Sequence, residues 1–187
     1  MAFTLSRLFW HVAAEIEALF VEPGSPIRWR KRELRSFGVT FGKMIYFGRH
    51  LHIHSPGRLQ IGERATFGSY VQLMNFSRII VGDDFLCAGN LVINTGNHDP
   101  ETLIPGAAPV TIGKRVWCGT NVTILGGVTI GDDVVIGAGS VVIKSIPSNS
   151  IVSGVPARIL RPLTRAEGEK LWDWSNPHAK NEPQKPA

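Results

Sequence analysis

VTIGKRVWCGTNVTILGGVTIGDDVVIGAGSVVI, residues 110–143, keeps one beat from end to end. Aliphatic or small apolar residues recur every six positions at Ile112, Cys118, Ile124, Ile130, Ile136 and Val142. Four residues after each comes Val116, Val122, Val128, Val134, Ser140 and Ile146. Gly often follows the leading residue, as in Ile130-Gly131 and Ile136-Gly137. An internal repeat of this kind outranks other sequence signals. Short β-branched stretches broken regularly by Gly and Asp predict brief strands and tight corners, not helices.

Upstream the beat returns in threes: Phe41, Phe47, Ile53; then Ile61, Phe67, Leu73; then Val81, Cys87, Ile93. Three six-residue sides make one triangular turn. Stacked turns let each strand pair in parallel with the one below, and the leading residues then form inward ladders. Between the first three turns the phase slips by two residues at each join, a slip that small corner bulges absorb. Between Ile93 and Ile112 thirteen residues more than the beat requires leave the prism, as an extruded loop over about residues 97–110.

Composition bounds the rest. At 187 residues and 43% hydrophobic the chain can bury one real core without metal or disulfide staples. Arg7, His11, Glu15 and Glu17 interrupt the apolar N-terminus, so a secretory signal fits poorly, and nowhere does an apolar run reach the length of a bilayer. Two cysteines, Cys87 and Cys118, do not make a disulfide framework, which agrees with a reducing, cytoplasmic compartment and two buried thiols. The net charge of +5 raises the question of nucleic acid, but the basic residues do not alternate with aromatics along a binding module. An anionic ligand or membrane surface suits that charge equally well, and nucleic acid is not expected.

The ends read as caps. In residues 1–37, Leu5, Leu8, Phe9, Val12, Ile16, Leu19 and Phe20 form one helical stripe that Pro23-Gly24 stops. Such a helix covers the open first turn or lies in a membrane interface. Residues 25–36 follow with Arg28, Arg30, Lys31, Arg32 and Arg35 against Glu33 alone, a field suited to a phosphate-bearing acceptor or to anionic headgroups at the inner face of the membrane. In residues 164–187, Thr164 to Glu167 fits a capping box before a short helix ending near Trp174, followed by a polar tail.

The spacing, with the phrases VTIGKRVWCGTNVTILGGVTIGDDVVIGAGSVVIKSIP and IVSGVPARIL, resembles the hexapeptide-repeat acyltransferases over residues 38–163. Within that family it is most similar to the galactoside, maltose and capsular-polysaccharide O-acetyltransferase branch. The resemblance implies an all-β fold, a left-handed parallel β-helix, whose handedness opposes the usual crossover preference. It implies acetyl-CoA as co-substrate, a sugar or glycan acceptor, a homotrimer with sites between neighbouring prisms, and no metal.

Moving an acetyl group from a thioester to a hydroxyl needs a base near neutral pH, and imidazole titrates there. By resemblance that base is His98, in Gly96-Asn97-His98, at the sixth position of a side and held by the regular strand below it. The oxygen that gains charge needs a preorganised N–H, and the resemblance assigns the amide of Thr120. It places Trp117 beside the pantetheine arm, and Gly119, Gly137, Ala138, Lys144, Arg158 and Arg161 along the cofactor. Asn75 and Asn94, polar residues of the third side, either line the acceptor pocket or serve as corner residues. Asp99 orients a ring or, in the reading favoured here, caps the loop. The chain departs from the family where Cys118 replaces the more frequent Ile, and where Gly68 stands in place of an acceptor-contacting Asn.

Two rivals deserve weight. His50, His52 and His54 suggest a zinc site of the γ-carbonic-anhydrase kind, but Leu51 and Ile53 take inward beats, so the three rings point outward along one strand and cannot close a tetrahedron. A non-catalytic scaffold or membrane-surface protein predicts no thioester chemistry, and it leaves His98, Trp117 and Arg158 at family positions without a cause.

Overall fold

The computed structural model describes residues 34–36 and 38–164. The expected N-terminal helix, most of the basic segment 25–36 and the C-terminal helix lie outside the described residues. Within them the chain is a left-handed parallel β-helix of about six turns. The first turn is β1 (Thr40–Phe41), β2 (Tyr46–Phe47) and β3 (His52–Ile53). The second is β4 (Leu59–Ile61), β5 (Thr66–Phe67) and β6 (Gln72–Met74), and the third is β7 (Ile79–Val81), β8 (Leu86–Cys87) and β9 (Val92–Asn94). A hairpin, β10 (Gly96–His98) and β11 (Pro105–Ala107), then leaves the prism. The fourth turn is β12 (Val110–Ile112), β13 (Trp117–Cys118) and β14 (Thr123–Leu125), and the fifth is β15 (Thr129–Ile130), β16 (Val134–Ile136) and β17 (Val141–Val142). β18 (Ser150–Gly154) adds a last parallel strand, and β19 (Ala157–Pro162) folds back on it antiparallel.

Each side of the prism is one sheet. Side one orders β1, β4, β7, β12, β15; side two orders β2, β5, β8, β13, β16, β18, β19; side three orders β3, β6, β9, β14, β17. The ladders fall where the beat places them: Ile61 on Val81 on Ile112 on Ile130, Phe67 on Cys87 on Cys118 on Ile136, and Leu73 on Ile93 on Ile124 on Val142. These ladder residues are buried, and Phe67 packs its ring on Phe47 at 5.3 Å and on Phe85 at 5.1 Å. Removing so much apolar area in so thin a rod is the main stabilising term.

One assignment differs. Ile146, read from the sequence as a second-column residue, bridges Ile130 and therefore leads a side. The corner after Val142 is two residues short, so the beat resumes early.

The corners explain the polar residues. On the edge between sides one and two the backbone turns through positive φ at Arg64, Asp84, Arg115 and Asp133, and charges alternate up the stack. Arg64 grips Asp84 at 2.6 and 2.9 Å, Lys114 reaches Asp83 at 3.6 Å, and Arg115 grips Asp133. At the edge between sides three and one, the two-residue slips of the first turns enlarge the corner. Buried polar side chains fill it: Asn75 bonds Ser55, and Thr95 Oγ1 accepts from Ser77 N–H at 2.8 Å and donates to Met74 O at 3.1 Å. Every buried donor must find an acceptor, and these close the wide corner from within.

Candidate active site

The extrusion starts from that wide corner. Asn94 Oδ1 accepts from Gly96 N–H at 3.0 Å and turns the chain outward. A Cβ at Gly96 would lie 2.6 Å from the Phe76 ring, so any larger residue there displaces that ring. Thr95, fully buried, is the last residue inside. His98 therefore sits on the outgoing hairpin arm opposite Pro105 and is exposed, not on a regular prism strand as its six-residue position suggested. The Asn94 turn and the buried Thr95 take the chain out before His98 is reached.

The ring is nonetheless fixed. His98 Nδ1 lies 2.8 Å from the carbonyl oxygen of Leu103. A carbonyl only accepts, so Nδ1 carries the proton of the neutral imidazole, and Nε2 is left with its lone pair outward. That is the tautomer a general base requires.

The other expected residues gather at a different edge, between sides two and three. Trp117 faces outward from β13 between Leu86 and Val135, half exposed, while its neighbour Cys118 points inward. Gly119 and Thr120 follow at the corner, and Ala138 stacks one turn above: a Cβ on Gly119 would meet Ala138 N at 2.7 Å. Gly137 lies under Ser153 in the same way, and Ser153 is the register partner of Arg158 on β19. Thr120 lies under Ala138, its neighbour Gly119 under Gly137 and Ser153, and Arg158 beyond Ser153, so this edge climbs at strand spacing, about 14 Å over three steps. Arg158 and Arg161 are exposed, bond only neighbouring main-chain carbonyls and form no ion pair among the described residues. Lys144, also exposed, lies past β17 at the corner between sides three and one, the hairpin's edge, and not beside Thr120.

The Thr120 amide, like those of Ser69, Asp83 and Gly89, lacks a cap that four other corners carry among the described residues. At those four the N–H before the positive-φ residue is capped by a side chain one turn up: Arg49 by Ser69 Oγ, Glu63 by Asp83 Oδ1, Lys114 by Asp132 Oδ1, Asp132 by Ser148 Oγ. Thr120 precedes Asn121, at φ 57°, and the residue above it is Ala138, which offers no acceptor. Its hydroxyl donates to Gly89 O at 3.1 Å, but among the described residues its amide donates to nothing. An amide without a partner on an exposed corner residue, three positions after the half-exposed Trp117, is available to a developing oxyanion.

Of the two readings for Asn75, acceptor contact and corner residue, its surroundings are those of a corner residue. It is fully buried, with Oδ1 2.8 Å from Ser55 N and Nδ2 2.5 Å from Ser55 O, so both ends of its amide are spent on the corner. Asn94 stays at the foot of the hairpin, half-buried, with Oδ1 engaged on Gly96. Asp99 caps the loop after His98, accepting from Glu101 N–H, Thr102 N–H and Thr102 Oγ1. The ring of His50 stacks on Tyr70 at 4.5 Å and that of His54 lies against Phe76 at 4.3 Å. Among the described residues no group of His, Cys, Asp and Glu is placed to hold a metal ion, and no helix is long and apolar enough to cross a membrane. The bond from Leu103 to His98 was missed in the sequence. Its acceptor is a main-chain carbonyl, which any residue type would provide.

The family described as bacterial transferase hexapeptide (six repeats) matches residues 109–144. The chain is 35% identical over 163 residues to WcaF of Escherichia coli K12, named as an acetyltransferase of colanic acid biosynthesis, covering 86% of this chain and 88% of that one. Among solved structures it is similar to a maltose O-acetyltransferase from Clostridium difficile 630, with 29% identity, a TM-score of 0.72, and 83% and 86% of the two chains covered. It is also similar to a hexapeptide-repeat acetyltransferase from Vibrio cholerae complexed with acetyl coenzyme A. That match has 27% identity, a TM-score of 0.70, and covers 82% and 85% of the two chains.

Proposed function

The chain belongs to the hexapeptide-repeat acyltransferase family, and on that premise we propose that it is an O-acetyltransferase that moves the acetyl group of acetyl-CoA to a hydroxyl of a sugar or polysaccharide precursor in the cytoplasm. Acetyl-CoA dependence and acyl transfer follow from its relatives. The sugar acceptor and the residue roles are our reading.

Acetyl-CoA supplies an activated acyl carbon and a thiolate leaving group. The residues fit it: glycine and alanine corners let a thin amide-bearing arm lie against the edge above Thr120, Trp117 flanks that edge, and Arg158 with Arg161 offers phosphates two guanidinium groups that form no ion pair among the described residues. His98 Nε2 accepts the acceptor's hydroxyl proton as its oxygen attacks, and later returns it to the leaving sulfur. Thr120 N–H donates to the carbonyl oxygen on which charge grows. Both thiols are sealed in the core, so direct transfer without an acyl-enzyme is the simplest course.

The observation that carries this reading is that the base and the oxyanion donor stand on different edges of one prism. His98 leaves the corner between sides three and one, whereas Thr120 lies between sides two and three. A full side, roughly 15–20 Å, separates the two corners. A second copy brings one edge against the other, and closure of that contact around an axis gives a homotrimer. Lys144 then joins the cofactor edge from the copy that supplies His98, and Asn94 is the polar side chain nearest the acceptor. The test is to incubate acetyl-CoA with sugar, nucleotide-sugar and lipid-linked glycan acceptors and to follow free thiol together with acetyl ester on the glycan. Release of thiol with every acceptor no faster than without acceptor rejects the assignment.

A further inference from the structure

The base of the proposed reaction is held by a loop that carries its own lock. Between the hairpin arms the chain runs from Asp99 to Ile104, closed by Asp99 N–H to Ile104 O at 3.0 Å and by Leu103 N–H to Asp99 O at 2.8 Å. Inside that closure Asp99 Oδ1 accepts three bonds: Thr102 N–H at 2.8 Å, Thr102 Oγ1–H at 2.8 Å and Glu101 N–H at 3.1 Å. Those bonds, that from the Thr102 amide foremost, hold the Asp99 carboxyl below the usual carboxylate range.

The loop so closed carries Leu103 at φ 57°. That conformation costs a branched side chain about 1–2 kcal/mol, and Leu103 has no packing to offset it, being 70% exposed. Polar bonds hold it instead: the two main-chain closures and, inside them, the three bonds on Asp99 Oδ1. The left-handed turn has one visible result, which is to aim the Leu103 carbonyl at His98 Nδ1.

We propose that Asp99 and Thr102 are positioning residues for the general base: they hold the Leu103 carbonyl against His98 Nδ1 and so keep the neutral ring in the Nδ1–H form, with Nε2 free to take a proton. The catalytic consequence rests on the acetyl-transfer reading; the tautomer does not. In the transfer step a C–O bond forms to the acyl carbon, the C–S bond breaks, and the hydroxyl proton passes to Nε2 and then to sulfur. Nδ1 keeps its proton throughout, and the Leu103 carbonyl steadies the transient imidazolium. A ring in the Nε2–H form would present a proton where a lone pair is needed, much as a triad histidine in the wrong tautomer fails.

Two readouts test this on the full-length protein. Long-range ¹H–¹⁵N spectra of ¹⁵N-histidine-labelled enzyme, above the titration range and with His98 assigned by the His98→Gln variant, report the tautomer. Wild type is expected to hold Nδ1–H. Asp99→Ala and Thr102→Val move the ring toward Nε2–H and lower kcat by about 10–10²-fold, with the KM for acetyl-CoA within about twofold. Thr102→Ser, which keeps the hydroxyl, preserves both. A wild-type ring in the Nε2–H form overturns the proposal, as do Asp99→Ala and Thr102→Val variants that keep the Nδ1–H form. If the tautomer shifts as stated but the wild type transfers no acetyl group, the lock stands and the proposed function fails.

Discussion

Arg115 places Nε and Nη2 2.8 and 2.6 Å from the two carboxylate oxygens of Asp133, one turn above it, with both side chains largely shielded from water. The pair closes a column of alternating charge that begins at Arg64 and Asp84, and it raises the pKa of the Arg115 guanidinium, chiefly through the Asp133 bond. Such a bidentate grip fixes the vertical register of corners whose main chain already turns through positive φ. Asp133→Asn should destabilise the protein by roughly 1–2 kcal/mol, below the full value of a charged hydrogen bond because Arg115 is a third exposed. A double-mutant cycle with Arg115→Gln in urea should give a coupling energy of about 1 kcal/mol. Additive single mutants would mean that the column does not act as a unit.

Cys87 and Cys118 are register partners one turn apart and are free thiols inside the core. Burial pushes the Cys87 thiol up to about 12, from 9.0, and raises Cys118 as well. Native protein should therefore give almost no reaction with a thiol reagent at pH 8, and two equivalents once unfolded. Below pH 9 both states keep the proton and stability is at its full value; between 9 and 12 the unfolded thiols ionise first, so stability falls as pH rises. The slope approaches about 1.4 kcal/mol per pH unit per thiol. Thermal melts from pH 8 to 11 on wild type and Cys87→Ala measure it, and equal slopes would contradict the buried assignment.

The ladders were legible in the sequence because a six-residue period with one apolar residue per side leaves no other way to close a core. Ile112, Ile124 and Ile130 fall where the count puts them. Ile146 does not, because a corner two residues short resets the count without any marker in residue type. Asn75 was left with two readings for a related cause. An Asn beside a corner suits both a ligand and a plug, and only the width of that corner, with Ser55 facing it, decides for the plug. At the proposed site, His98, Thr120 and Arg158 could be singled out by residue type and resemblance. What makes them usable could not: a carbonyl on Nδ1 depends on the backbone of Leu103, and an uncapped amide depends on which residue happens to stack above.

His98→Ala removes the proposed proton acceptor and leaves the edge of Thr120 and Arg158 untouched. Turnover should drop by roughly 10²–10⁴-fold, while acetyl-CoA affinity measured by calorimetry stays near wild type. Retained turnover would place the base elsewhere.

Gly119→Ala and Gly139→Ala separate two costs at the same corner. A Cβ on Gly119 meets the main chain of Ala138 at 2.7 and 2.9 Å, and backbone cannot rotate away. The corner has to open, at about 1–3 kcal/mol, and the Thr120 amide shifts with it, so the KM for acetyl-CoA should rise. Gly139 has open space around its missing Cβ but turns through φ 70°. Alanine there should cost about 1 kcal/mol through backbone strain alone and leave the KM unchanged. Equal effects of the two variants on the KM would argue against a cofactor lying along the Thr120 edge.

On the proposed reading the base and the cofactor edge lie a full side apart and the site is shared by two copies, so two different defects on separate chains should complement. In His98→Ala the cofactor edge is intact; in Arg158→Glu the base is intact and the phosphate-binding charge is reversed. Each parent alone should be nearly inactive at low acetyl-CoA. When the two are unfolded, mixed in equal amounts and refolded, contacts that pair His98 from an Arg158→Glu chain with the wild-type edge of a His98→Ala chain become complete. Random assortment around a ring makes these about one quarter of all contacts, so activity should recover to about that fraction of wild type. Light scattering on the mixture should give three times the 20.5 kDa chain mass. A trimer without recovery would mean that His98 and Arg158 serve one site within a single chain. A species of 20.5 kDa that still turns over acetyl-CoA would remove the composite site altogether, and with it the reason that His98 and Thr120 stand on different edges.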